Sequence, residues 1–190
     1  MIQLQPGDCA VVKTHSPIAD LINWGQKLKA KDDKAEHNHA LIVTAADGTT
    51  FESLAKIAHY GIDGYRGCPI YIARHLEMTP ERFKAGYDHV KKFDQCFYPW
   101  WRLPLHLVGL AKHIHWSYPV CSELVGRFLY EAGLSRSTGW GWSPDELADL
   151  WDESKNWKLI FKGAWTGLTP SPLPSPARGE EEKELKACPA

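Results

Sequence analysis

Short apolar runs alternate along the chain with longer stretches that have helical periodicity. Four such runs, each bounded by turn residues, predict strands at 9–13, 39–44, 69–74 and 157–161. Asp47-Gly48 follows the second run and is a strong hairpin signal, so residues 49–53 are expected to return as its antiparallel partner. These features predict a small antiparallel sheet.

Helix start signals divide the rest of the chain. Ser16-Pro17, Thr79-Pro80 and Ser143-Pro144 each pair a capping residue with proline at the first helical position, and Glu146 completes a capping box. A further helix is predicted over 122–132, where apolar residues share one face and Gly133 follows. Residues 95–119 are rich in aromatic residues and histidine without a clean period, which predicts an irregular insertion. Strands and helices together indicate an α+β fold.

The composition changes after Thr166. Alternating prolines are followed by a mostly charged stretch, and such a segment cannot continue a sheet or helix or form a packed core. We therefore expect a single domain over residues 1–166 and a disordered tail over 167–190.

Charge and hydropathy narrow the range of partners. The chain has 190 residues, a formal net charge of −1, and 44% hydrophobic residues. Such a balance argues against a nucleic-acid partner or an anionic membrane surface, and favours a substrate recognised in a cleft. There is no signal-peptide pattern and no apolar run long enough to span a bilayer. Cytoplasmic location is the default expectation, with export by another route left open.

Five cysteines occur at wide, irregular spacing, which favours neither a disulfide scaffold nor a Cys-based zinc site. Cys121 stands out because it lies at the predicted start of the 122–132 helix. Free N–H groups and the positive end of the helix dipole stabilise a thiolate there, and they can hold the oxyanion of a tetrahedral intermediate. A cysteine at a helix start is also common as inert core, so position alone does not assign a role.

His39 begins a buried-type strand and is a candidate base for a thiol. A metal site built from His37-x-His39 and His113-x-His115 is a weaker alternative, since no carboxylate or cysteine has convincing ligand spacing. Glu52, on the returning strand, is a candidate to orient the imidazole. A two-residue turn would place it about 13 Å from His39 along the strands, so contact would require a bulge or bend.

Several segments, in this order, carry a family resemblance: Gly7-Asp8, Ser16-Pro17-Ile18 with Trp24, Asn38-His39-Ala40-Leu41-Ile42-Val43, Thr50-Phe51-Glu52-Ser53 and Tyr118-Pro119-Val120-Cys121-Ser122-Glu123-Leu124-Val125. The pattern resembles the circularly permuted papain-like amidases, the YiiX/YaeF-like branch of the NlpC-type superfamily. In that branch, which is related to lecithin:retinol acyltransferase-like enzymes, the histidine strand precedes the cysteine helix. The resemblance covers roughly residues 6–134.

The resemblance implies a permuted papain-like fold, in which a small antiparallel sheet or half-barrel packs against helices and the nucleophile lies at a helix N-terminus. It implies Cys121 as nucleophile, His39 as base and Glu52 as orienter, with a supporting role for Tyr118 and neither cofactor nor metal. The expected activity is hydrolysis of amide bonds, with peptidoglycan stem peptides as substrate class. A thioesterase or acyltransferase acting on lipid acyl groups, or a catalytically silent binding module, are the alternatives. The oligomeric state is not determined by these patterns.

Overall fold

The computed structural model describes residues 2–15, 36–98 and 118–168. Its centre is a six-stranded antiparallel sheet with the strand order β4-β3-β2-β1-β5-β6. The strands are β1 (Cys9–Val12), β2 (His39–Val43), β3 (Thr49–Ser53), β4 (Ile57–Gly61), β5 (Pro69–His75) and β6 (Trp157–Ala164). The predicted α+β class is confirmed.

In the described part of the chain three α-helices accompany the sheet, α1 (Pro80–Val90), α2 (Cys121–Glu131) and α3 (Pro144–Glu153). The predicted start of α1 is confirmed, because the Thr79 hydroxyl accepts the Arg82 backbone N–H at 3.3 Å. The capping box of α3 is present in both directions, with Ser143 and Glu146 each accepting the other's backbone N–H at 3.2 and 2.7 Å. Within the described ranges no helix is long and apolar enough to cross a membrane.

Alternation along the strands divides the core into two clusters. The helical-face cluster joins one face of the sheet to all three α-helices, through Cys9, Val11, Ala40, Ile42, Val90, Phe128 and Trp151 among others. The rear-face cluster contains the intervening residues, with Ala10, Val12, Leu41 and Val43 packed against Ile62, Tyr65 and Trp165. Burial of both faces explains why these strands read as continuous apolar runs.

Two glycines let α2 lie close to its neighbours. A Cβ at Gly86 of α1 would lie 2.5 Å from the Phe128 carbonyl oxygen, and one at Gly126 would lie 2.6 Å from that of Thr138. Such distances are too short for any side chain. The pair therefore sets the position of α2 against α1 and against the loop that follows α2.

Most of the predicted elements are present, and the differences are informative. β4 and the 3-10 helix Ile62–Tyr65 were not predicted, whereas β6 extends beyond the predicted 157–161. The helix expected from Ser16-Pro17, most of the 95–119 insertion and all of the tail beyond residue 168 lie outside the described residues.

Candidate active site

Cys121 is the first residue of α2 and is 5% exposed. The residue before it, Val120, is extended, with φ −78° and ψ 173°. The buried Glu123 side chain accepts the Val120 backbone N–H at 3.3 Å and the Gly141 backbone N–H at 3.1 Å. These contacts hold the start of the helix in place, so the thiol lies beside the N–H groups of the first turn.

His39 is the first residue of β2, opposite Val12 of β1, and is 6% exposed. Its Nε2 lies 2.6 Å from Oε2 of Glu52. The Cys121 sulfur lies near the same ring, close enough to raise its pKa by hydrogen bonding and Coulomb attraction. Because Nε2 is taken by the carboxylate, Nδ1 is the nitrogen left for the sulfur.

The contact between Glu52 and His39 corrects the predicted hairpin register. A two-residue turn would pair Val43 with Glu52, but β2 and β3 pair Val43 with Thr50 and Leu41 with Glu52. Glu52 is therefore only two positions from His39 on the same face, within reach of long side chains, and neither a bulge nor a bend is needed.

A longer turn produces this register. Oδ1 of Asp47 accepts the backbone N–H and the hydroxyl of Thr49 at 2.9 and 2.7 Å, and Gly48 has φ +87°. The Gly48 backbone N–H donates to the Ala45 carbonyl at 3.1 Å. Residues 45–48 thus form a four-residue connection, which moves β3 by two positions relative to a tight turn without changing the face that Glu52 occupies.

The Glu52 carboxylate is fully buried and accepts two further hydrogen bonds. Thr50 donates its hydroxyl to Oε1 at 2.5 Å, and Tyr65 donates its phenol to Oε2, the oxygen that also contacts His39. Neither residue was predicted for the site. Thr50 lies two positions before Glu52 on the same strand face and could have been found from the period-2 pattern; Tyr65 follows the unpredicted β4 and had no such signal.

These contacts determine the charge state of the site. Burial opposes the charged form of His39, but hydrogen bonds and Coulomb attraction from Cys121 and Glu52 outweigh it and raise the pKa of His39 to about 10. For Glu52, burial is again outweighed, here by the bonds from His39, Thr50 and Tyr65, and its pKa is lowered. At neutral pH the site therefore holds an imidazolium between the Glu52 carboxylate and the Cys121 sulfur.

The predicted residues Cys121, His39 and Glu52 lie where the two core clusters meet. Cys121 belongs to the helical-face cluster, whereas Tyr65, which holds Glu52, belongs to the rear-face cluster. His39, at the end of its strand, contacts both Cys121 and Glu52. Cys121, His39 and Glu52 are thereby brought together at one end of the sheet. Tyr118 is half-buried and packs against the helical-face cluster.

The residues before His39 are held by their own contacts. Asn38 exchanges hydrogen bonds with Thr14: its Oδ1 accepts the Thr14 backbone N–H at 2.9 Å, and its Nδ2 donates to the Thr14 carbonyl at 2.9 Å. His37 is bound to Asp145, which accepts its backbone N–H at 2.8 Å and lies 3.1 Å from its Nδ1. The segment that leads into β2 is therefore held by two separate sets of contacts, one to Thr14 and one to Asp145.

The metal alternative finds no support among these side chains. His37 and His39 contact different carboxylates, Asp145 and Glu52. Across residues 2–15, 36–98 and 118–168, no group of three or more His, Cys, Asp or Glu is placed to hold a metal ion. The second half of the predicted alternative, His113-x-His115, lies outside the described residues.

Comparison with known proteins adds one structural likeness. The sequence matches no protein-family model and no curated protein. Among solved structures, the chain is similar to the metalloprotein yiiX from Escherichia coli O157:H7, at 15% identity, with a TM-score of 0.46, over 85% of this chain and 98% of that one. A likeness of this size says nothing about chemistry, so the interpretation of the site rests on its own geometry.

Proposed function

We propose that this protein is a cysteine hydrolase that cleaves amide bonds, with Cys121 as nucleophile, His39 as acid and base, and Glu52 as the group that orients His39. The observation that carries this proposal is the contact of one buried imidazole with both the Cys121 thiol and the Glu52 carboxylate. A nucleophile, a base and an orienting acceptor in contact are the arrangement that nucleophilic catalysis requires.

In the first half-reaction Cys121 reacts as the thiolate of a thiolate–imidazolium pair with His39, and its sulfur attacks the carbonyl carbon of the scissile amide. The carbonyl π electrons move to oxygen, and the backbone N–H groups of the first turn of α2 stabilise that oxyanion. As the tetrahedral intermediate collapses, the C–N bond breaks and the His39 imidazolium gives its proton to the leaving amine. A thioester on Cys121 and a neutral His39 remain.

In the second half-reaction His39 takes a proton from water as the water oxygen attacks the thioester carbonyl. Collapse of the second tetrahedral intermediate breaks the C–S bond and releases the carboxylic acid. The proton on His39 restores the starting ionisation of the site. Glu52 stabilises the imidazolium at both ends of the cycle and fixes which ring nitrogen faces the sulfur.

Thr50 and Tyr65 act as positioning residues through Glu52. A buried carboxylate that accepts from two hydroxyl groups as well as from an imidazole has little freedom to rotate. The same hydroxyl groups favour its ionised form, which keeps the imidazole charged.

The order of the elements supports a permuted papain-like fold for this site, since the histidine strand β2 precedes the cysteine helix α2 along the chain. The resemblance on which that fold assignment rests also motivates the substrate class, the peptide stems of peptidoglycan.

The proposal is tested by incubating the full chain with purified muropeptides and measuring the release of new amino groups. Cys121→Ala should abolish release. Cys68→Ala is the matched control, because Cys68 is also a free thiol but is partly exposed and lies outside the site, and it should retain wild-type rates. Undiminished release by Cys121→Ala would reject the mechanism. Turnover of acyl esters but not of muropeptides, still dependent on Cys121, would replace the amide substrate by an acyl one.

A further inference from the structure

A cavity lies on the helical face, at the opposite end of the sheet from Cys121. It measures about 280 Å³ and is bounded by the C-terminal part of α2, the loop after it, the end of α3 and the start of β6. Its polar lining residues include His75, Arg136 and Asn156 together with three serines, and Trp142 and Trp157 contribute aromatic walls. Val12 pairs with both His39 and Ile70, and His75 is five residues beyond Ile70, so the two histidines are roughly 16 Å apart along the strands.

His75 supplies a fixed donor. It is 3% exposed, and its Nδ1 accepts the Glu77 backbone N–H at 3.2 Å. The hydrogen of the neutral ring is therefore on Nε2. Its ring stands edge-on to Trp157, with centroids 5.0 Å apart, and among the residues that the structure describes no acceptor takes the Nε2 hydrogen. His75 lines the cavity, so this hydrogen can be donated to an acceptor that enters it.

Burial keeps this donor neutral. Removal from water lowers the pKa of His75, an effect that the nearby Arg82 reinforces and Glu77 opposes. The ring then presents an N–H without a net charge, so the affinity for an anion must come mainly from another group.

Arg136 is that group. It is exposed and lines the cavity, and no carboxylate in the described part of the chain forms an ion pair with it. A guanidinium offers paired donors that match a carboxylate. Trp142, Trp157 and three leucines form the remaining wall, a surface suited to an apolar body rather than to a hydrated ion such as inorganic phosphate.

We propose that this cavity is a binding site for a small monocarboxylic acid with an aromatic or branched aliphatic body. The carboxylate accepts from Nε2 of His75 and from Arg136, and the apolar body lies against Trp142 and Trp157. The volume, just below the usual range for ligand pockets, limits the occupant to a small molecule. This site shares no side chain with Cys121, His39 and Glu52, so it stands whether or not the proposed hydrolase activity does.

The test uses the full chain and two probes of the same shape, 3-phenylpropionate and 3-phenylpropanamide, with binding measured by isothermal titration calorimetry. The acid should bind at least about tenfold more tightly than the amide, the size of one charge-assisted hydrogen bond. Arg136→Gln should remove most of that preference and leave amide binding unchanged. Arg66→Gln is the matched control, since Arg66 is another surface arginine, paired with Asp63 and outside the cavity lining.

His75→Phe should weaken acid binding by a similar factor. Because His75 is buried and this variant could fail to fold, the exposed Arg136→Gln is the decisive one. Equal affinity for acid and amide, an unchanged preference in Arg136→Gln, or no binding of either probe at millimolar concentration would each overturn the proposal.

Discussion

His39 and His75 are both almost fully buried, at opposite ends of the same sheet, yet their pKa values are shifted in opposite directions. The pKa of His39 is raised to about 10, and that of His75 is lowered. Burial alone disfavours the charged ring in both cases. The difference lies in the partners, because His39 contacts a carboxylate and a thiol, whereas Nδ1 of His75 accepts from a backbone N–H.

The comparison separates two uses of a buried imidazole. A charged ring between Glu52 and Cys121 can stabilise a thiolate and transfer a proton. A neutral ring with one fixed hydrogen can only donate, which suits recognition of a ligand. Burial makes each state rigid, and the neighbouring side chains decide which state is present.

Replacement of each histidine in turn by glutamine should give the largest difference between the two ends of the sheet, measured as the alkylation rate of Cys121. His39→Gln should slow alkylation of Cys121 by iodoacetamide at pH 7 by at least about tenfold, because it removes the charged base beside the sulfur. His75→Gln should change the rate by less than about twofold, because that ring is remote from the thiol. Peptide mass spectrometry follows Cys121 itself, with Cys68 as an internal reference for general unfolding. Equal slowing in both variants would remove the distinction between the two ends.

Titration of the two rings by long-range ¹H–¹⁵N NMR should sharpen the comparison directly. The His39 ring should remain an imidazolium as pH rises through 7 and lose its proton only near pH 10. The His75 ring should stay neutral, with hydrogen on Nε2, at a pH where an ordinary histidine is already half charged. A His39 ring that is neutral at pH 7 would contradict the ion pair.

Tyr65→Phe should have a moderate effect confined to the His39 end. It removes the phenol that donates to Glu52, so turnover should fall about tenfold with little change in KM, as expected for one lost hydrogen bond to a charged group. Tyr60→Phe is the matched control, because the Tyr60 hydroxyl donates to the Lys56 carbonyl, at 3.3 Å, and not to Glu52. A rise in KM with kcat unchanged would argue against a positioning role.

Gly126→Ala should have the smallest effect on the difference between the two histidines, because α2 contributes both to the Cys121 site and to the cavity beside His75. The added Cβ would press on the Thr138 carbonyl and on Gly139, and the strain should lower the free energy of unfolding by about 1–3 kcal/mol. Gly64→Ala, where a Cβ meets nothing within 4 Å, should leave stability nearly unchanged. Urea denaturation measures both. Equal stability of the two variants would show that α2 does not depend on this close contact.

The sequence predicted the parts of the site more readily than their connections. The strand that begins at His39 and the helix that begins at Cys121 follow from apolar patterning, which depends only on local residues. The contact of Glu52 with His39 depends on turn geometry. The Asp47 side chain accepts from Thr49, and the resulting connection has four residues. An Asp-Gly pair considered by itself predicts a turn of two residues.

The rear face was least predictable. β4 carries exposed residues such as His59 and Tyr60, and no strong turn signal marks its start, so its pattern did not stand out. Tyr65 comes near Glu52 only because β4 pairs with β3 and the chain then turns under the sheet. Such long-range placement leaves no local periodicity to read.

The central claim is that a charged His39 lies against the sulfur of Cys121, and the ratio of two alkylation rates tests it most directly. Iodoacetate is an anion and iodoacetamide is neutral, so a cation beside the sulfur favours the former. For Cys121 the ratio of iodoacetate to iodoacetamide rates should exceed that for Cys68 at pH 7 and decline as pH rises towards about 10, where His39 loses its proton. A ratio equal to that of Cys68 and flat across the same pH range would contradict the account.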